Sequence, residues 1–400
     1  MRTIAVVGAS VAGTRAARSL RDAGFDGRLV LVGDDDRTPY DRPPLSKGFL
    51  AGTQDEADLA LLDTDDEAEL ALELRLGVRV ERLDAHAGRL RLADAREIAA
   101  DGVVVATGGR PRLLPGGEGV EGVHVLRTLD DAVALRAAVA GSSPRVVVVG
   151  AGFLGAEVAS TCRGMGLGVT LLDASALPLA PLLGERIARS CAALHAAHGT
   201  DVRHGRAVAR LHTAASGRGT HVTGVELDDG TVLPADVVVT GVGIVPNTEW
   251  LEGSGLRLRD GVHTDAGMVT DLPAVVAVGD VARYRGAGGT RRHEHWTSAG
   301  EQAAVAATNL LAGHTAAAFR PSGYFWSDQY GRTLQLAGHP RTEDRVEIVD
   351  GDPDDRFTAR YTDATGTTTA VFGLGSPRAF GRLRRTELGR AGAVRATQPA

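Results

Sequence analysis

Cysteine is almost absent from this chain. Its 400 residues hold two, Cys162 and Cys191, far apart and in no C-x-x-C pair. That excludes a redox-active dithiol, a cysteine-ligated iron–sulfur cluster and a Cys-rich zinc site. Both sit in helical patterns among Ala and Leu, where buried structural thiols are expected. If the chain moves electrons, they leave through a bound group rather than through sulfur. No apolar run approaches membrane-spanning length, and no signal-peptide pattern precedes the first strand, so a cytoplasmic protein is expected. A basic excess is also missing: 44 Lys and Arg stand against 50 Asp and Glu, a net charge of −6, which argues against general nucleic-acid binding. His195, His198, His204, His212 and His221 are scattered rather than set at ligand spacing, so surface histidines and no metal site are expected. What remains is ordinary for a globular protein, 43% hydrophobic and 24% charged, and the length calls for two or three domains.

The first fifty residues organise the rest. Ile4-Ala5-Val6-Val7 reads as a wholly apolar strand of a buried parallel sheet. Gly8-Ala9-Ser10-Val11-Ala12-Gly13 follows, then a helical pattern from Thr14 to Ala23, a strand from Leu29 to Val32, and the acidic run Asp34-Asp35-Asp36. This is a βαβ unit with an acid about twenty residues past the glycines, as a dinucleotide site requires. Gly8 takes the tight turn, Gly13 lets helix and strand pack closely, and backbone N–H groups at the helix start face a pyrophosphate. Ser10 replaces the usual middle glycine and costs some room for phosphate. A plain βαβ crossover is the alternative.

A second unit is complete. Arg145 to Val149 is a strand, Gly150-Ala151-Gly152-Phe153-Leu154-Gly155 a full G-x-G-x-x-G, Ala156 to Met165 its helix, and Val169 to Leu172 the next strand, ending in Asp173. A carboxylate there accepts from ribose hydroxyls and repels a 2′-phosphate. Glu157 sits in the first turn of the helix, where a negative charge is favourable in any case. Two such units in one chain suggest one nucleotide held firmly and one exchanged.

Three further stretches carry a family resemblance: Pro39-Tyr40-Asp41-Arg42-Pro43-Pro44-Leu45-Ser46-Lys47, Ala106-Thr107-Gly108-Gly109-Arg110-Pro111 and Phe325-Trp326-Ser327-Asp328-Gln329-Tyr330. From about Arg2 to about Arg384 the chain resembles the FAD-dependent ferredoxin reductases of the putidaredoxin reductase type. The resemblance implies an α/β protein with two Rossmann-like domains, for FAD and NAD, in a glutathione-reductase-like arrangement, plus a C-terminal α+β domain with an antiparallel sheet. The boundaries expected are 1–108 and 236–318 for FAD, 109–235 for NAD and 319–400 for the C-terminal domain, with Asp236 to Val239 returning to the first.

By the same resemblance FAD is held by Gly8, Ser10, Ala12, Gly13, Asp34, Arg42, Lys47, Val80, Ala106, Thr107, Gly108, Arg127, Gly279, Asp280, Glu294, Trp296 and Trp326. NADH, favoured over NADPH, is held by Gly150, Gly152, Phe153, Leu154, Gly155, Glu157, Asp173, Gly241, Val242 and Gly243. Lys47 and Glu157 form an ion pair near the flavin. Relatives place arginines four and eight residues after the acid of the second unit. Leu177 and Pro181 stand there instead, within an unusually apolar run to Leu183, so altered NADH binding is expected. The implied activity is NADH-dependent reduction of an iron–sulfur ferredoxin serving an oxygenase, with Arg378, Arg382, Arg384 and Arg385, or Arg283, Arg285, Arg291 and Arg292, as groups that could steer an acidic partner. The alternatives are a flavin reductase of a quinone or oxygen, or a flavin-bound sensor with little turnover. Asp55 to Glu73 reads as a solvent-facing helix, Gly217-Arg218-Gly219 as a mobile loop, and residues past Leu388 as frayed.

Overall fold

The structure, a computed structural model, describes residues 1–141, 143–217, 219–286 and 288–389; Arg218 and, of the tail expected to fray, residues 390–400 thus lie outside the described residues. The chain divides into two compact units. One comprises Met1–Asp41, Glu56–Arg110 and Ile244–Pro321, the other Arg42–Asp55, Pro111–Gly243 and the chain from Ser322 on.

The first unit is built on a five-stranded parallel sheet ordered Val275–Ala277, Gly102–Val105, Thr3–Val7, Arg28–Val32, Leu72–Arg75. Four of its strands are apolar on both sides because both faces are covered, while the edge strand Leu72–Arg75 alternates. Helices Val11–Asp22 and Trp296–Ala312 cover one face, and the small residues Ala16, Ala17, Ala303, Ala306 and Ala307 let them approach closely. Leu20, fully buried among them, contributes roughly 2 kcal/mol by its burial. The antiparallel sheet Val80–Asp84, Arg89–Leu92, Glu97–Ala99 covers the other face with Leu83, Leu90 and Ile98. The expected helix from Asp55 to Glu73 is cut short. A turn of 3-10 helix, Glu56–Leu59, and a helix Thr64–Glu69 capped by Asp63 are followed by strand Leu72–Arg75. Leu70-Ala71-Leu72-Glu73-Leu74-Arg75 alternates with period two, and pairing with Arg28–Val32 decides in favour of the strand.

The second unit has its own parallel sheet, ordered Asp201–His204, Val169–Asp173, Val146–Val149, Val237–Thr240, Val123–Val125. Val237–Thr240 pairs with Val146–Val149, so the expected return to the first domain at 236 is wrong; the chain re-enters the first unit at Ile244. Strands of either sheet are equally apolar, and only pairing assigns them. A five-stranded antiparallel sheet, Phe325–Gln329, Arg332–Gly338, Thr368–Leu374, Phe357–Thr362, Arg345–Gly351 in spatial order, forms the expected C-terminal sheet and groups with this unit, as does the segment Arg42–Asp55 expected in the FAD domain.

The apolar run Leu177 to Leu183 now has a structural reason. Leu179 and Leu183 pack on Phe325, Phe357 and Tyr361 of the antiparallel sheet, and the Tyr361 hydroxyl donates to the Leu183 carbonyl at 2.7 Å. Gly184, with φ of 72°, breaks the helix just beyond. His195 is not a surface residue: it is buried in the helix that follows Gly184, with Nδ1 2.9 Å from the Tyr330 hydroxyl. Both cysteines are free and buried, as expected.

Candidate functional site

Within the first unit, Gly8 has φ of +115°, and a Cβ there would strike the Ala106 carbonyl; a Cβ on Gly13 would strike the carbonyl of Gly8. Both glycines are therefore obligatory for this turn. Ser10 takes the N-cap position of helix Val11–Asp22, yet its side chain makes no cap hydrogen bond. The helix start thus presents backbone donors on a glycine cradle, which fits a dinucleotide pyrophosphate. The turn lies at the point where strand order reverses, with Gly8 N–H bonded to Val32 and Ala106 N–H to Val7.

The other first-unit residues gather around this end of the sheet. Gly279, with φ of +75°, comes to 2.9 Å of the Ala12 Cβ at the point where its own Cβ would lie, and its N–H donates to the buried Gln302 side chain at 2.7 Å. Asp280 follows it in the same 3-10 turn. Asp34 is exposed beside Asp35, whose carboxylate takes the Tyr40 hydroxyl at 2.9 Å. Gly77 and Val78, leading into Val80, donate to the carbonyls of Asp35 and Gly33. Thr107 is tied to Asn247 by a hydroxyl-to-carbonyl bond of 2.8 Å, beside Gly108 at φ of +60°. The Trp296 indole donates to Asp41 at 2.7 Å and carries the Arg15 guanidinium 5.7 Å above its ring. Glu294 pairs with Arg292 at 2.6 Å. Asp260 pairs with Arg283 and Arg292, so that basic group is partly neutralised. His293 lies 3.2 Å from the Tyr284 hydroxyl, and no group of three or more His, Cys, Asp or Glu among the described residues is placed to hold a metal.

The second unit repeats the cradle. Gly150 has φ of +102°, and a Cβ there would strike Gly241; one on Gly155 would strike Gly150. Gly152 is different: its φ is −71° and a Cβ would meet nothing within 4 Å, so its bareness keeps space open in front of helix Phe153–Gly164, which has no side-chain cap. Asp173 accepts from Ala151 N–H through Oδ2 and from Ser175 N–H through Oδ1, each at 2.8 Å, which fixes its rotamer. Leu154 and Val242 are apolar yet exposed, and Gly243 has φ of +96°. Phe153 instead packs its ring on Phe325, centroids 4.6 Å apart. A cavity of about 480 Å³ opens along Gly150, Gly152, Asp173, Pro178, Arg206 and Gly241.

Glu157 and Lys47, 110 residues apart, meet at 2.7 Å. The Ser46 hydroxyl donates to the same Glu157 oxygen at 2.6 Å, and the Ser327 hydroxyl to the other at 2.7 Å. Neither serine is legible as functional in the sequence, since each is defined only by a distant partner. Arg42 precedes the 3-10 turn Pro43–Ser46, and Arg127 N–H donates to Asp131, which caps the next helix. Trp326 lies on the antiparallel sheet, stacked 6.3 Å from Tyr324, over which Arg384 sits at 4.8 Å.

Two glycine cradles on two parallel sheets, in a chain whose thiols are buried and unpaired, define a nucleotide-dependent oxidoreductase without a dithiol. Residues 2–303 match the pyridine nucleotide-disulphide oxidoreductase family and 324–398 the reductase C-terminal family. Rhodocoxin reductase of Rhodococcus erythropolis is 39% identical over 84% of this chain and 78% of its own. The ferredoxin–NAD(+) reductase component of a p-cumate 2,3-dioxygenase system of Pseudomonas putida is 35% identical over 96% and 92%. The structure of a covalent putidaredoxin reductase–putidaredoxin complex aligns with a TM-score of 0.88 and 34% identity over 96% of this chain and 92% of its own. The chain belongs to the pyridine nucleotide-disulphide oxidoreductase family, among its ferredoxin reductases of the putidaredoxin reductase type.

Proposed function

We propose that this protein is an FAD-dependent NADH:ferredoxin reductase that delivers electrons to an iron–sulfur ferredoxin and, through it, to an oxygenase. The observation that carries this is the pair of nucleotide cradles in a chain with no accessible thiol. FAD, when bound, supplies the conversion of a two-electron hydride donor into single electrons. The chain's own part is to bind, orient and charge-compensate. In the first unit, Gly8, Ser10, Ala12 and Gly13 hold the pyrophosphate of FAD at the helix start, Asp34 and Val80 its adenosine, and Ala106, Thr107, Gly108, Gly279, Asp280, Glu294 and Trp296 the remainder. Arg42, Arg127 and Trp326 lie in the second unit, and their proposed assignment to FAD rests on the family resemblance. The domain division proposed is FAD-binding for the first unit, and NAD-binding and C-terminal domains within the second.

In the second unit, Gly150, Gly152 and Gly155 admit the NADH pyrophosphate, Phe153 and Leu154 open the helix behind it, and Asp173 accepts from the ribose hydroxyls. Gly241, Val242 and Gly243 border the nicotinamide path. Lys47 and Glu157 form an ion pair within the second unit, and on the family resemblance the Lys47 ammonium would be the group that offsets negative charge on a reduced flavin. Free, buried thiols suit a reducing compartment, and with no helix among the described residues long and apolar enough to cross a membrane, we place the reaction in the cytoplasm. Anaerobic titration with NADH should bleach the flavin, and cytochrome c reduction should accelerate when ferredoxin is added. A flavin that NADH leaves oxidised, or a rate indifferent to ferredoxin, would end this reading.

A further inference from the structure

The cavity beside the second cradle carries opposite charges at one end. Among the described residues lining it, Asp173 is the acid and Arg206 the cation. Arg206 is held in register by its own backbone: its N–H donates to the Asp173 carbonyl at 3.0 Å, so the two side chains leave adjacent strand ends. Its guanidinium is tethered through Nε to Asp229 at 3.0 Å. Asp229 is itself set by the turn before Val232–Pro234, accepting Thr231 N–H at 3.0 Å. Leu177 and Pro181 bring no charge here; that stretch is spent on the antiparallel sheet.

We propose that Arg206 is the nucleotide-specificity residue of this site: it addresses the adenosine end of the nicotinamide nucleotide, and Asp229 withholds it from a 2′-phosphate. The inference rests on the functional reading above. Asp173, Arg206 and Asp229 together carry one net negative charge, which suits ribose hydroxyls and disfavours a dianionic phosphate. Asp173 alone would repel that phosphate, but an untethered guanidinium next to it would offset the repulsion, since arginine bonds phosphate through a planar fork. Selectivity therefore depends on how Asp229 engages Arg206, as much as on the acid at the strand end. With NADH there is no phosphate to attract it, and the tethered guanidinium offers a flat face to the adenine.

The test is equilibrium binding of NAD+ and NADP+ to the FAD-loaded full chain by titration calorimetry, where neither nucleotide reacts. Asp229→Asn should tighten NADP+ about tenfold and shift NAD+ by less than about twofold, the size expected of one unit charge acting on a dianion at a solvent-exposed site. Adding Arg206→Gln to that variant should abolish the gain. Arg206→Gln alone should weaken NAD+ roughly threefold by loss of the adenine face. The assignment is overturned if Asp229→Asn leaves NADP+ binding unchanged, or if the double variant keeps the gain. Wild-type protein that binds neither nucleotide would overturn the proposed function and this inference together. Wild-type protein that binds NAD+, with all three variants indistinguishable from it, would remove Arg206 alone.

Discussion

Glu157 offers the sharpest test of how the second unit is held together. Its carboxylate is 9% exposed and receives three side-chain donors, Lys47 and Ser46 on Oε2 and Ser327 on Oε1. Glu157→Ala removes all three acceptor contacts. It takes the counter-charge from Lys47, whose side chain is only 21% exposed and whose ammonium keeps the Pro43 carbonyl at 3.0 Å, and the acceptor from the Ser46 and Ser327 hydroxyls. Breaking one side of a buried pair in this way costs about 3–5 kcal/mol. Glu157→Gln is a different perturbation. The amide oxygen still faces Lys47 and Ser46, while the amide nitrogen turns to Ser327. Ser327 can reverse, accepting from the amide and donating to Gln329, whose Nε2 now bonds the Ser327 oxygen at 3.0 Å and whose Oε1 is buried without a hydrogen-bond partner. Only the charge contribution is then lost, about 1–2 kcal/mol. Equilibrium urea unfolding at neutral pH of the two variants and wild type measures both numbers. If Glu157→Ala and Glu157→Gln fall within about 1 kcal/mol of each other, the network is not what orders this site, and the reasoning fails.

Three further outcomes follow from single residues. Gly152→Ala should leave the thermal midpoint unchanged but raise the KM for NADH at least several-fold, because its Cβ enters open space in front of the helix; Gly155→Ala should instead cost about 1–3 kcal/mol by overpacking against Gly150, and equal effects of the two on stability would refute the cradle. Burial, reinforced by His204 and His198, lowers the His195 imidazole to about 4. A base held neutral in this way destabilises the fold as pH falls below its unfolded value near 6.5, because the unfolded chain then binds the extra proton; the loss grows to its full size near pH 4. His195→Gln should therefore flatten the stability profile between those limits, by about 2 kcal/mol at pH 5, and a profile unchanged in slope would refute it. Burial pushes both Cys162 and Cys191 up to about 12, so a thiol reagent at neutral pH should label neither until the protein is denatured, and then both; rapid labelling of the native protein would contradict the packing.

What was legible in the sequence was local. A Cβ on Gly13 would strike Gly8 and one on Gly155 would strike Gly150, so that half of each turn is written in one short stretch, whereas Gly8 and Gly150 are closed against Ala106 and Gly241, far along the chain. The apolar runs at Val6, Val104, Val148 and Val238 announce buried parallel strands for the same reason, since burial on both faces leaves no alternation. Such runs do not say which sheet they join, and only its pairing with Val146–Val149 assigns Val237–Thr240 to the second sheet. Ser46 lies 111 residues from Glu157 and Ser327 lies 170 from it, and the Tyr361 hydroxyl reaches a carbonyl 178 residues away. Arg206 is one arginine among many until its backbone is set beside Asp173. The sequence by itself determined where two nucleotides can be cradled, because the glycines that shape each cradle lie within six residues of one another. Only the tertiary structure decided which charges surround them, because a hydrogen bond depends on distance in space and is blind to separation along the chain.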